Sequence, residues 1–184
     1  MKLPVALLVA TSLIFPIACK QRQNASAALG SIAPGQDSNT LRALKSTQAY
    51  AERYLKAHTA WDAYFRQNFV GTQRNYSEDT QRIRTYVMDQ VSQNGRLEGQ
   101  IDDSINDGGY DQDVDATMQA AWDALKSVTK ALQSHPVFSR ENSQTGVADA
   151  SKAMMPLLKD VATKAQAAIL AVTAADSKKQ AAQE

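Results

Sequence analysis

The chain has 184 residues, of which 43% are hydrophobic, and its 20 lysines and arginines nearly balance its 19 aspartates and glutamates. This length suffices for one domain with a hydrophobic core. A nearly neutral body lacks the clustered basic charge that nucleic acid requires, and a single cysteine, Cys19, excludes an internal disulfide and a cysteine-based zinc cage.

The first 18 residues have the layout of a secretory leader. Met1 and Lys2 give it a positive start, and residues 3–17 form an apolar run. This run is short for a membrane-spanning helix, which needs about 20 apolar residues. We therefore predict that residues 1–18 are a signal peptide.

The end of this leader, Pro16-Ile17-Ala18-Cys19, resembles the lipobox of bacterial lipoproteins, in which a small residue precedes the cysteine that receives the lipid. Pro16 departs from the pattern, which usually has an aliphatic residue at this place. The resemblance implies that Cys19 is lipidated, becomes the new N-terminus and anchors the protein in the bacterial cell envelope. Lys20 after the cysteine implies the outer membrane, with the body facing the periplasm.

Residues 19–37 have no apolar period and are rich in Gln, Ala, Ser, Gly and Pro. This composition predicts a flexible tether between the lipidated cysteine and the body. The tether also contains an alternative cleavage site of the A-x-A type at residues 25–27. Cleavage there would release a soluble exported protein that begins at Ala28.

The body is predicted to be all-α, because its apolar residues recur at steps of three and four and no stretch alternates convincingly with a period of two. Short connections between the helices favour a four-helix up-and-down bundle. The predicted body spans residues 38–176, and its helices span about 38–69, 77–107, 113–135 and 144–175.

Two features concern the last of these helices. Pro156 cannot donate a backbone hydrogen bond, so it predicts that helix four is kinked or broken there. The polar residues 177–184 are predicted to be a disordered tail.

His58 lies within the apolar stripe of helix one, where it is either a structural core residue or a ligand for a cofactor. The chain lacks the Glu-x-x-His pairs of di-iron bundles and the C-x-x-C-H motif of haem attachment. His135, the other histidine, is expected to contact terminal carbonyls at the end of helix three. We predict no cofactor and no metal, with a cofactor- or small-ligand-binding bundle as the alternative.

Asp111, Asp113 and Asp115 give the most acidic segment the spacing of a calcium loop. However, Ala116 replaces the glycine of that motif and Trp122 replaces its glutamate. The aspartates are therefore interpreted as capping and turn residues. The chain also lacks a G-x-S-x-G nucleophile motif and a phosphate-binding glycine loop, so we predict that it is not an enzyme.

Half of the chain's twelve aromatic residues lie on helix one. One interpretation is a wide buried face, because a bundle helix contacts two neighbours. The other is a partner-binding patch, because tyrosine and tryptophan are enriched in interfaces. Such a patch would consist of Tyr50, Tyr54, Trp61 and Tyr64.

These features together predict a membrane-anchored envelope lipoprotein that binds a protein partner. Within that class, two roles fit. The protein is either an immunity or inhibitor protein that neutralises an envelope-acting toxin, or an accessory part of an envelope assembly.

Overall fold

The computed structural model of the protein describes residues 37–67, 76–138 and 143–182. Within these ranges the regular structure is helical and contains no strand, which confirms the all-α prediction. The leader, Cys19, most of the tether and Phe69 lie outside the described residues. The helices are α1 (Asn39–Gln67), α2 (Tyr76–Asn106), α3 (Gln112–Gln133) and α4 (Gln144–Ala181), with a 3-10 turn at Pro136–Phe138.

The four helices form a ring in chain order, because each contacts the next and α4 contacts α1. Neighbouring helices run in opposite directions. The Tyr64 hydroxyl near the end of α1 donates to Asp79 near the start of α2 at 2.8 Å. Before α3, the Tyr110 hydroxyl donates to Asp176 near the end of α4 at 3.0 Å. The arrangement is the predicted up-and-down bundle.

Of the four interfaces, the one between α1 and α4 is the most extensive. Both helices bury small side chains, and small side chains allow two helix backbones to approach closely. None of the described helices is long and apolar enough to cross a membrane. The small buried residues are Ala43, Thr47 and Ala51 on α1 and Ala148, Ser151, Ala165 and Ala168 on α4.

Side-chain caps fix where the helices begin. Ser38 Oγ accepts from the backbone N–H of Leu41 at 3.1 Å and so caps α1 at the residue where helix one was predicted to begin. At the start of α3 the cap is Asp111, whose carboxylate accepts from the N–H of Val114 at 3.0 Å. Helix three was predicted to begin at about residue 113 with its cap there, but the cap lies two residues earlier. Asp113 instead lies in the first turn, where the helix dipole favours a negative charge.

The predicted kink or break at Pro156 is wrong, since α4 continues through this residue and the bend falls in α3. Pro156 is exposed, and so is Lys152, whose carbonyl loses its hydrogen-bond donor and is left to water. Met154 and Leu158 are buried on either side of the proline. Packing therefore holds both halves of the helix against the core.

The predicted end of helix four is also wrong, because the helix extends to Ala181 through part of the expected tail. Lys178 and Lys179 lie in its last turn, where the helix dipole favours positive charge. The Lys179 ammonium donates to the backbone carbonyl of Gly109 and lies over the aromatic ring of Tyr110, 4.2 Å from its centroid. These contacts fasten the end of α4 to the α2–α3 connection.

Candidate functional site

Tyr50 and Tyr54, two members of the predicted partner-binding patch, are core residues. Their exposed fractions are 4% and 0%, and their ring centroids lie 4.8 Å apart. For these two residues the interpretation as a buried face is correct, and their place in a surface patch is wrong. The physical reason is that this side of α1 faces the neighbouring helix α2, which covers both rings.

Polar contacts at the edge of α2 hold the Tyr54 ring. Its hydroxyl donates to Asp89 at 2.7 Å, and this hydrogen bond lowers the pKa of the Asp89 carboxyl. The Arg53 guanidinium lies 3.6 Å from the same carboxylate and packs over the rings of Tyr54 and Tyr86, at 5.2 and 5.8 Å from their centroids. Arg53 is thereby oriented at the solvent boundary between α1 and α2.

The other two members of the predicted patch remain accessible. Trp61 is half-buried and packs edge-on against Tyr86, with ring centroids 4.7 Å apart. Tyr64 is 42% exposed and rests against the ring of Phe65 at 5.3 Å. We refer to the accessible side chains along this boundary as the aromatic seam; it consists of Arg53, Trp61, Tyr64 and Tyr86.

Beneath the seam lies a group of buried polar side chains. The His58 ring is 5.0 Å from Trp61 and is fully buried. Its Nε2 lies 2.9 Å from Gln90 Oε1, and because this oxygen can only accept, Nε2 carries the hydrogen and donates. His58 Nδ1 is then an acceptor, and it has no partner among the described residues. We call this group the polar layer; it consists of Tyr50, His58, Gln90, Asn94 and His135.

His135 belongs to this layer, which the sequence did not reveal. Its ring centroid lies 6.4 Å from that of His58, and its Nδ1 accepts from the backbone N–H of Val137 at 3.3 Å. The side chain thus does not bind the terminal carbonyls that were expected as its partners, although the backbone N–H of His135 donates to the carbonyl of Leu132 at 3.1 Å. Because Nδ1 of His135 accepts, its Nε2 carries the hydrogen. This Nε2 is buried and has no partner among the described residues. Pro136 accounts for this position, because a proline disfavours the helical conformation of the residue before it and so ends α3 here.

The remaining members leave further polar atoms unpaired. The Tyr50 hydroxyl lies near the Gln90 amide without a hydrogen bond of ordinary geometry, and Gln90 Nε2 has no partner among the described residues. Asn94 donates through Nδ2 to Glu98 and Thr129, both at 2.7 Å, but its Oδ1 is unpaired. An unsatisfied buried polar atom costs about 1–3 kcal/mol, so this layer is a weak point of the core.

Burial lowers the pKa of both histidines, because an imidazolium is poorly solvated in the bundle interior. The pKa of His135 falls to about 4, through burial first and through the neighbouring His58 second. No Asp or Glu is hydrogen-bonded to either ring within the described part of the chain, and the hydrogen bond with Gln90 raises the pKa of His58 by less than burial lowers it. At neutral pH both rings are uncharged.

Two histidines alone do not make a structural zinc site, which takes four ligands. Across residues 37–67, 76–138 and 143–182, no group of three or more His, Cys, Asp or Glu side chains is placed to hold a metal ion. Asp111 is committed to its helix cap, and Asp113 is exposed. Of the three aspartates, Asp111 has the capping role that the sequence indicated.

An open groove of about 490 Å³ lies between the first half of α1 and the second half of α2. Its walls carry two arginines and two aspartates, so it has no dominant charge. Sequence periodicity did not indicate it, because its residues lie on the polar sides of both helices. The lining residues are Asn39, Arg42, Ala43, Ser46, Arg96, Gln100, Asp103, Ser104 and Asp107.

No protein-family model, curated protein or solved structure matches this chain. The aromatic seam offers an accessible surface rich in interface-type side chains. The polar layer offers unpaired donors and acceptors within the core.

Proposed function

We propose that this protein is a bacterial envelope lipoprotein, anchored through lipid on Cys19 in the outer membrane and facing the periplasm, whose bundle binds a protein partner. The aromatic seam is the observation that carries the binding function. Tryptophan, tyrosine and arginine are the residues that most often dominate the binding energy of an interface. The seam brings all three together at one solvent boundary.

The seam is also largely preorganised. Trp61 is held between the rings of His58 and Tyr86, at 5.0 and 4.7 Å. Arg53 is held by Asp89 and by the ring of Tyr86. Side chains that are already ordered lose little conformational entropy when a partner binds, which favours affinity.

Two roles within this class remain, and a growth assay separates them. An immunity or inhibitor protein protects a cell from its toxin when it is expressed alone. An accessory part of an envelope assembly gives no such protection, and its loss instead impairs the assembly. Both roles require the anchor and the seam.

The first prediction concerns the anchor. Changing Cys19 to serine removes the thiol that takes the lipid, so we expect the protein to leave the membrane fraction or to keep its leader. Lipid chains contribute about 0.8 kcal/mol for each buried methylene, so several chains hold the protein firmly. Cell fractionation and mass spectrometry of the mature N-terminus provide the measurement. An unmodified mature chain that begins at Ala28 would contradict the proposal.

The second prediction concerns the seam. A photo-crosslinking amino acid at Tyr64 should capture a specific envelope protein in living cells, and a second change, Trp61→Ala, should weaken that capture by about 2 kcal/mol, or roughly thirtyfold. The matched control places the same crosslinker at Leu170, an exposed position on α4. Equal capture from both positions, or capture that Trp61→Ala leaves unchanged, would show that the seam does not bind the partner.

A second candidate function is small-ligand binding in the core, and the polar layer favours it. A small molecule with both donors and acceptors could pair with His58 Nδ1, His135 Nε2 and Gln90 Nε2. Native mass spectrometry of the purified protein tests this function. A retained molecule that is lost from the Gln90→Leu variant supports it, and a ligand-free mass opposes it.

A further inference from the structure

The outer side of α2 carries an unusual set of exposed residues. Met88 is 57% exposed and Val91 is 40% exposed, although both are apolar. Arg84 and Asp102 are 18 residues apart, which is about five turns, so they lie on the same side of the helix as these two residues. We call this side the α2 stripe; it consists of Arg84, Met88, Val91, Gly95, Gly99 and Asp102.

Five of the six residues of this stripe are exposed in the described part of the chain, and Asp102 is half-buried. A Cβ atom built on Gly95 or on Gly99 would meet no atom within 4 Å. Arg84 and Asp102 form no ion pair with any described residue. Glycine inside a helix costs about 0.5–1 kcal/mol relative to alanine, so the two glycines weaken α2 without serving the packing of the monomer.

The stripe is complementary to the same stripe of a second copy that runs in the opposite direction. Its midpoint is residue 93, with Val91 and Gly95 two residues away on either side and Arg84 and Asp102 nine residues away. If two copies of α2 cross in antiparallel fashion at this midpoint, the side chain of Val91 lies over Gly95 of the other copy. Arg84 then faces Asp102 of the other copy, and Met88 lies close to its Gly99.

We infer that the α2 stripe is the interface of an antiparallel homodimer. A two-fold axis makes every contact occur twice, so each dimer gains two Arg84–Asp102 ion pairs and two Val91–Gly95 contacts. A parallel pairing would instead place Arg84 against Arg84. Charge complementarity therefore favours a second copy of this chain, in the antiparallel orientation, as the binding partner of the stripe.

The stripe is small, since it runs along about 27 Å of a single helix. Stable complexes bury about 1,200–2,000 Å², so this dimer is weak in dilute solution. Attachment of both copies to one membrane raises their effective concentration and favours the dimer. Only this increase in effective concentration rests on the proposed lipid anchor.

The antiparallel arrangement is compatible with two anchors in one membrane. It places the starts of the two α1 helices at opposite ends of the dimer, so the bundles must lie along the membrane surface. The 17 residues from Lys20 to Gln36 span at most about 3.3–3.6 Å each, or up to roughly 60 Å, which is enough for both chains to reach the bilayer. Tyr86 and Asp89 face α1 instead of the stripe, so both aromatic seams stay accessible.

Exchange of charges tests the interface. Full-length lipidated protein, in copies that carry donor or acceptor dyes, is reconstituted in vesicles of phosphatidylethanolamine and phosphatidylglycerol, and energy transfer reports association. Arg84→Asp or Asp102→Arg alone should weaken association at least about tenfold, and the double variant should restore it. Arg82→Asp is the control, because Arg82 lies on the side of α2 near Tyr64 and should not alter association.

A second variant tests the close approach of the helices. Gly95→Leu meets no neighbour in the monomer, so it should leave thermal stability unchanged or raised while it abolishes energy transfer. Wild-type transfer no higher than that of randomly placed copies, or a double charge exchange that fails to restore association, overturns the inference. Sedimentation equilibrium of the same variants at high concentration without membranes separates failure of the interface from failure of the anchor.

Discussion

Replacing Tyr54 with alanine is expected to destabilise the bundle by about 3–5 kcal/mol, the range for truncating an aromatic side chain in a packed interior. The ring is fully buried and contacts Tyr50 and Tyr86 at 4.8 and 5.0 Å. The change also removes the hydrogen bond to Asp89. Urea denaturation followed by circular dichroism measures the free energy of unfolding.

Tyr64→Ala is the matched control for this experiment. The same side chain is removed from the same helix, but at a position that is 42% exposed, so we expect a loss of less than about 1 kcal/mol. Tyr54→Phe removes only the hydroxyl and should cost about 0.5–1.5 kcal/mol. Similar losses for Tyr54→Ala and Tyr64→Ala would mean that Tyr54 does not belong to the core.

Acidification from pH 6.5 to pH 4 is expected to remove about 3 kcal/mol of stability through His135, at about 1.4 kcal/mol for each unit of pKa. Its pKa is about 4 in the folded protein and 6.5 in the unfolded chain. Above pH 6.5 both states are neutral, and the stability is fully present. As the pH falls below 6.5, the unfolded chain takes up a proton that the folded protein excludes, so stability declines until pH 4. His58 acts in the same direction.

The variant His135→Asn isolates this effect. Asparagine does not titrate, and its side-chain oxygen can accept the N–H of Val137 in place of the imidazole Nδ1. Urea midpoints at several values between pH 7.5 and pH 4 should therefore change much less in the variant than in the wild type. Identical pH dependence of the two proteins would rule out His135 as the source. Asp89 does not account for this pH dependence. The pKa of its carboxyl is lowered from an ordinary value of 3.8, so its contribution to the stability is lost at more acidic pH.

The sequence predicted the bundle because its apolar residues repeat with the period of a helix, and the core stripe of α3 from Val114 to Leu132 is buried throughout. The sequence could not show which neighbouring helix covers the aromatic residues beside the apolar stripe of α1. Tyr50 and Tyr64 are the same type of residue and have nearly the same angular position around the axis of α1. Only the packing of α2 makes the first a core residue and leaves the second exposed.

The polar layer could not be predicted from the pattern of any single helix, because its residues come from different segments of the chain. His58 was recognisable because it interrupts an apolar stripe, and Gln90 lies on the buried side of α2, between Val87 and Leu97. His135 follows α3 and gave no periodic signal. Its place beside His58 depends on the end of α3 and on the turn that Pro136 starts, which bring residues 77 positions apart into contact.

The close packing of α1 on α4 has a consequence for how the protein is made. These are the first and last helices of the chain, so the largest interface in the bundle joins segments that are far apart in sequence. Contacts of long sequence separation form slowly, because a long loop must close first. A chain that emerges from its N-terminus cannot complete this interface until α4 has followed. The bundle therefore reaches its full stability only after the last helix has become available.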